Sequence, residues 1–200
     1  MNTNVALINL GAGNVGAIAN RLSELDVNFS ILDAPNHFEY THLILPGVGS
    51  FDDFMQKLKS KGLEEFIIKQ SKTDTKILGI CVGMHALAYA SEEGDLKGLG
   101  LIPGKVKKIK SNLPLPHMGW NSILISNNSP ILYELDDSIG FYYLHNYEFK
   151  IEDGAELIAY SDYGQKISGI VKNGNNYGIQ FHPEKSHNNG LLLFRNFLNL

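Results

Sequence analysis

Residues 79–83 read Gly-Ile-Cys-Val-Gly and follow the run Lys76-Ile77-Leu78. Glycine on both sides of a nucleophile permits a sharp strand-to-helix turn, which presents the side chain at the C-terminal edge of a sheet. A helix beginning at Val82 places unpaired N–H groups and a positive dipole end beside the sulfur, and both favour the thiolate. A lone cysteine is more often a small core residue, but a core cysteine has no need of flanking glycines. The thiolate needs a base. His182, in Gln180-Phe181-His182-Pro183-Glu184-Lys185-Ser186, ends an apolar run and can leave a sheet at the same edge. Glu184 stands two residues on, close enough to hydrogen-bond the imidazole and fix its tautomer. The plainer reading is a His-Glu pair on a surface loop. A third stretch, Leu45-Pro46-Gly47-Val48-Gly49, can aim a backbone N–H at a developing oxyanion, with the Val82 N–H as second donor. Alone, that stretch is a turn. Together the three describe a site for acyl transfer.

Two other constellations compete. Gly11-Ala12-Gly13-Asn14-Val15-Gly16 matches G-x-G-x-x-G, follows a strand and opens a helix, and Asp33 ends the next strand. Dinucleotide binding is one reading; a tight turn that needs glycine for its dihedrals is the other. The nucleophile chemistry favours the turn. His182, Glu184 and His187 could hold zinc, but no standard ligand spacing is present and the single cysteine lies far off. No metal site is expected.

The elements that must position these residues alternate through the first half. Runs at 4–10, 27–32, 42–45 and 76–80 read as strands. Helical spacing appears at 15–25, at 51–68 with a break at Gly62, and at 82–90. This alternation predicts an α/β fold: a flavodoxin-like doubly wound, mostly parallel sheet. The second half brings consecutive strand runs at 105–109, 122–125, 141–149, 157–160, 167–171 and 177–181, separated by turn signals. They predict an added antiparallel layer, with the last strand returning to the main sheet. A helix over 189–200 closes the chain. No repeat or linker divides residues 1–200, which read as a single domain.

Composition narrows the function classes. The 200 residues are 44% hydrophobic and 19% charged, enough apolar material for a large core. The net charge is −4 without long basic runs, so nucleic acid and membrane surfaces are not expected partners. The apolar runs are too short to span a bilayer, and the first residues lack the pattern of a signal peptide. One cysteine allows no internal disulfide. A cytoplasmic location is expected.

At these residues the chain resembles the class I glutamine amidotransferases, whose glutaminase domains carry Cys, His and Glu in this order. Within them it is similar to the glutaminase subunits of imidazole glycerol phosphate synthases. The similarity covers nearly the whole chain: 11–14, 46–49, 79–84, Gly-Leu-Gly-Leu-Ile-Pro-Gly at 98–104, Pro-His-Met-Gly-Trp-Asn at 116–121 and 180–186. The resemblance implies that Cys81 attacks the side-chain amide of L-glutamine, that His182 protonates the departing ammonia and then activates water, and that Glu184 orients His182. It implies oxyanion N–H groups from Gly49 and Val82, and substrate contacts from Gly47, Val48, Gly83, His85, Asn146 and Tyr147. No cofactor is implied. The implied partner is a (β/α)8 cyclase subunit that receives ammonia in a heterodimer and serves histidine biosynthesis. Asn14, Met118, Trp120, Tyr142 and Lys185 match its docking face; for Trp120 an ordinary core position is the competing reading. The chain departs from the pattern at His85, where glutamine is usual, at Asn146, where a small hydroxyl residue is usual, and at Asn9-Leu10, where Asp-Tyr is usual. Ser186-His187-Asn188-Asn189-Gly190 resembles paralogues encoded with surface-polysaccharide genes, which implies a sugar-modifying synthetase as the alternative ammonia acceptor. A non-catalytic docking module is a rival from another class, opposed by the complete Cys-His-Glu set.

Overall fold

The computed structural model describes residues 3–136 and 138–200. The first half alternates as the apolar runs require. β1 (Val5–Ile8), α1 (Val15–Glu24), β2 (Phe29–Leu32) and β3 (His42–Gly47) are followed by α2 (Phe51–Ser60), α3 (Leu63–Gln70), β4 (Lys76–Cys81) and α4 (Val82–Ala86). The strands lie in the order β2-β1-β3-β4 and pair in parallel. β1 and β3 are buried along their whole length, and β4 everywhere but its first residue, as strands covered on both faces must be. Each fully buried Val, Leu or Ile there contributes about 1.5–3 kcal/mol of transfer free energy. The helix break expected at Gly62 falls between α2 and α3, where that glycine takes φ +69°.

The second half supplies β5 (Ala90–Ser91), β6 (Gly104–Lys108), β7 (His117–Asn121), β8 (Leu124–Ile125), β9 (Phe141–His145), β10 (Tyr147–Ile151), β11 (Glu156–Asp162), β12 (Lys166–Asn173), β13 (Asn176–Ile179) and α5 (His187–Leu198). β13 returns to the main sheet parallel to β4. β12, β11 and β8 extend the same sheet antiparallel, giving eight strands in the order β2-β1-β3-β4-β13-β12-β11-β8. The remaining strands form two small sheets, β10-β6-β5 and β7-β9.

Sequence and structure differ at several elements. The run at 141–149 is two strands, because the chain breaks at Asn146; β9 pairs with β7, and β10 pairs with β6. The helix expected over 82–90 ends at Ala86, after which Leu87 and Ala88 close its last turn and Ala90 enters β5. The strand expected at 122–125 shrinks to β8. β7 was not expected, since Gly119 interrupts it at φ +114° and its polar residues hide the alternation. α5 begins earlier than expected, at His187, beside the 3-10 turn Pro183–Lys185.

Candidate active site

The turn around Cys81 is built from interlocked backbones. Cys81 ends β4 at φ +56° and ψ −112°, immediately before α4. A positive φ at a residue with a Cβ costs about 1–3 kcal/mol and persists only where the surroundings impose it. Here the imposition is steric. A Cβ on Gly83 would collide with the Leu45 carbonyl, and one on Gly79 with the backbone of Gly83. A Cβ on Gly47 would press on the Gly83 nitrogen and the Phe54 ring. The start of α4 is therefore seated on the end of β3, where Gly47 stands opposite Cys81 in the ladder. The glycines bracketing the cysteine serve this close approach.

His182 leaves the sheet just beyond β13, on the strand next to the cysteine strand. Its backbone N–H donates to the Tyr142 carbonyl at 2.8 Å, and the buried Ser186 hydroxyl donates to the His182 carbonyl at 2.6 Å. The same hydroxyl accepts the Tyr142 N–H at 3.1 Å, so one serine ties the histidine loop to β9. The His182 ring nitrogen Nδ1 lies 2.9 Å from Glu184 Oε1; the Cys81 thiol faces the same cleft, with the Leu144 carbonyl 4.0 Å from its sulfur. Burial pushes the imidazole pKa down, but the hydrogen bonds and charges of Cys81 and Glu184 outweigh it and raise the pKa to about 10. Burial likewise opposes the Glu184 charge, yet hydrogen bonds from His182 and Asn14 hold its carboxyl below the usual carboxylate range.

Cys81, Val82, His182 and Lys185 share a cleft of about 190 Å³ with Val48, Gly49, His85, Glu93, Leu144, His145, Asn146 and Tyr147. Val82 is the first residue of α4, so its N–H has no partner within the helix. Gly49 adopts φ +98° with open space where a Cβ would stand. Gly47 and Gly83, expected as substrate contacts, lie outside the cleft lining and belong to the packing of the turn. His85 is buried, with Nε2 2.8 Å from Gln180 Oε1 and Nδ1 without a protein partner among the described residues. Burial, only partly opposed by Gln180, lowers its pKa to about 4.

Sequence reasoning missed two features. Glu93 places a carboxylate in the cleft and accepts the Phe51 N–H at 3.1 Å. Burial raises its pKa, with Phe51 opposing and Asp52 reinforcing the shift. Nothing near Glu93 in sequence marks it. The second is a buried chain of neutral imidazoles. His145 Nδ1 lies 2.8 Å from the Tyr147 carbonyl, His117 Nδ1 lies 2.9 Å from His145 Nε2, and Asn121 Nδ2 lies 3.2 Å from His117 Nε2. With the carbonyl as acceptor at one end and the amide as donor at the other, both rings carry their proton on Nδ1.

The residues matched to a docking face border this region. Met118 and Trp120 are 64% and 48% exposed, so Trp120 is not an ordinary core residue. Trp120 stacks on His187 and meets Tyr142 edge-on, while Lys185 Nζ lies 5.3 Å from the Tyr142 ring centre. Asn14 is half-buried, and its Nδ2 donates to Glu184 Oε1 at 2.9 Å. In the glycine turn before α1, Gly11 and Gly13 take positive φ, and Asp33 is engaged by Asn9 and Lys61. These contacts favour the turn over a dinucleotide site. Among the described residues no three metal-ligating side chains cluster, and no helix is long and apolar enough to cross a membrane.

Comparison with known proteins identifies the family. Residues 6–200 match the family model described as Glutamine amidotransferase class-I. The chain is 40% identical to "Imidazole glycerol phosphate synthase subunit HisH" of Leptospira interrogans, over 98% of this chain and 100% of that protein. It is 41% identical to "Imidazole glycerol phosphate synthase subunit HisH 2" of Methanococcus maripaludis, over 97% and 98%. Among solved structures it superposes on that of PurLQS from Thermotoga maritima with a TM-score of 0.78 at 19% identity, covering 100% of this chain and 99% of the other. It superposes on a glutamine amidotransferase with a TM-score of 0.75 at 20% identity, covering 98% and 97%. The structural matches speak for the fold.

Proposed function

This chain belongs to the class I glutamine amidotransferase family, and from that premise we propose that it is the glutaminase subunit of an imidazole glycerol phosphate synthase. The observation that carries the reading is Cys81 at its strained turn, sharing one cleft with a His182 whose far nitrogen is held by Glu184. His182 accepts the Cys81 proton, and the thiolate attacks the side-chain carbonyl carbon of L-glutamine. The N–H groups of Gly49 and Val82 receive the developing oxyanion. The tetrahedral adduct collapses, His182 returns the proton to the leaving nitrogen, and ammonia departs. Water, deprotonated by His182, then attacks the thioester; glutamate leaves and the thiol is restored. Glu184 holds the imidazole in the tautomer both steps need. Glu93 supplies the carboxylate that the substrate α-ammonium requires.

The ammonia passes to a (β/α)8 cyclase subunit, docked through Met118, Trp120, Tyr142 and Lys185. Exposed Trp120 and Met118, beside half-buried Tyr142 and the Lys185 cation, suit such an interface. The test is ammonia and glutamate release from glutamine by the wild type and by Cys81→Ala, in the presence of the cyclase. The wild type should turn over and accumulate a glutamyl adduct on Cys81, visible by intact mass after acid quench. Cys81→Ala should lose both while keeping its fold. Activity of that variant within a few-fold of wild type would reject the nucleophile.

A further inference from the structure

We infer that Asn14 is a positioning residue of the Cys81-His182-Glu184 site: its side-chain amide holds the Glu184 carboxylate in the orientation His182 needs. The inference rests on the proposed roles of those three residues.

Asn14 precedes the first residue of α1, a place where asparagine ordinarily caps the helix with its own side chain. Here it makes no capping hydrogen bond. Its Nδ2 instead donates across 170 residues of sequence to Glu184 Oε1. That oxygen is the one that meets His182 Nδ1. The other oxygen, Oε2, is buried and has no protein partner among the described residues. Two donors on a single oxygen fix which edge of the carboxylate faces the imidazole. With Asn14 removed, His182 Nδ1 is the remaining side-chain hydrogen-bond partner of the carboxylate among the described residues. The turn that carries Asn14 is itself held in place: Asn9 Oδ1 accepts the Gly11 N–H at 2.9 Å, and Gly13 leaves only van der Waals room against Pro46 at the end of β3. The glycine turn thus supports the carboxylate. The charge requirement is equally specific, because an aspartate here would set a second carboxylate against Glu184 where a donor is needed.

The test uses Asn14→Ala and Asn14→Asp, with folding checked by thermal melting. Asn14 does not line the cleft, so KM for glutamine should stay within about twofold while kcat falls about tenfold or more in Asn14→Ala, less than the loss of a positioned acid–base group at ~10²–10⁴-fold. Asn14→Asp, nearly isosteric, should be worse than Asn14→Ala. The second readout needs no turnover: the titration midpoint of the His182 ring, followed by NMR in 15N-labelled chain, should fall in Asn14→Ala. An unchanged midpoint with unchanged kcat, or an aspartate variant equal to wild type, would overturn the proposal. A wild-type chain that hydrolyses no glutamine would overturn the functional reading only, and the His182 midpoint would still decide what Asn14 does.

Discussion

His85 is the residue at which this chain departs most from the pattern it resembles, and its surroundings define what the departure does. The ring is neutral near pH 7, because burial lowers its pKa to about 4. One nitrogen is bound to Gln180 and the other is buried without a protein partner among the described residues. A glutamine at this position would reach further and offer both a donor and an acceptor to the substrate. His85→Gln is therefore expected to lower KM for glutamine by several-fold and leave kcat within a few-fold; an unchanged or higher KM would assign His85 a role of its own. At this scale the sequence was legible only where chemistry is written locally. Cys81 carries its glycines and Glu184 stands two residues from His182. The partners of His85 and Glu184 lie 95 and 170 residues away, a distance that no spacing rule encodes. Asn14 was expected to serve docking, and its bond to Glu184 emerged only with the fold.

Among the elements, the β3–α4 contact leaves no room for a side chain. Gly47 of β3, Gly79 of β4 and Gly83 of α4 meet around it, and a methyl group on Gly83 would occupy the position of the Leu45 carbonyl. Overpacking in a tight core costs about 1–3 kcal/mol and sometimes more. Gly83→Ala should therefore destabilise by at least that amount in chemical denaturation and displace the Val82 N–H from the cleft. A variant with wild-type stability and turnover would show that α4 is not held by this contact. The strands and helices of the first half were legible because burial on both faces writes continuous apolar runs. β7 was not, since a sheet of two strands leaves Met118 and Trp120 exposed and uses His117 as its buried residue. The break at Asn146 was hidden for a related reason: aromatic residues stand on both sides of it, and nothing in that run records a change of sheet.

At the scale of the molecule, buried histidines set the response to acid. Burial lowers the pKa of His42, His85 and His117 to about 4 and that of His145 to about 3. Each stays neutral in the folded chain, while the unfolded chain takes up protons below about pH 6.5. Their contribution is complete above that pH and is lost as pH falls toward 4. His182, raised to about 10, acts in the other sense: its contribution is complete below about 6.5 and is lost as pH climbs through 10. Glu93 and Glu148, raised by burial, oppose the acid loss but are fewer. The melting temperature should fall between pH 7 and pH 4.5, and a flat profile would contradict these burials. The overall sheet was legible from the alternation of elements; the extension of that sheet by β12, β11 and β8 was not, because antiparallel hairpins read alike wherever they attach. The placement of β4 between β3 and β13 has a kinetic consequence. Its amides pair on both sides, so their exchange with deuterium requires opening of the main sheet, whereas the turn bearing Asn14, held by the Asn9–Gly11 bond and its packing on Pro46, can open without the sheet. As denaturant is added, glutamine hydrolysis should therefore fade before the β4 amides begin to exchange, and activity lost only together with β4 protection would contradict this order.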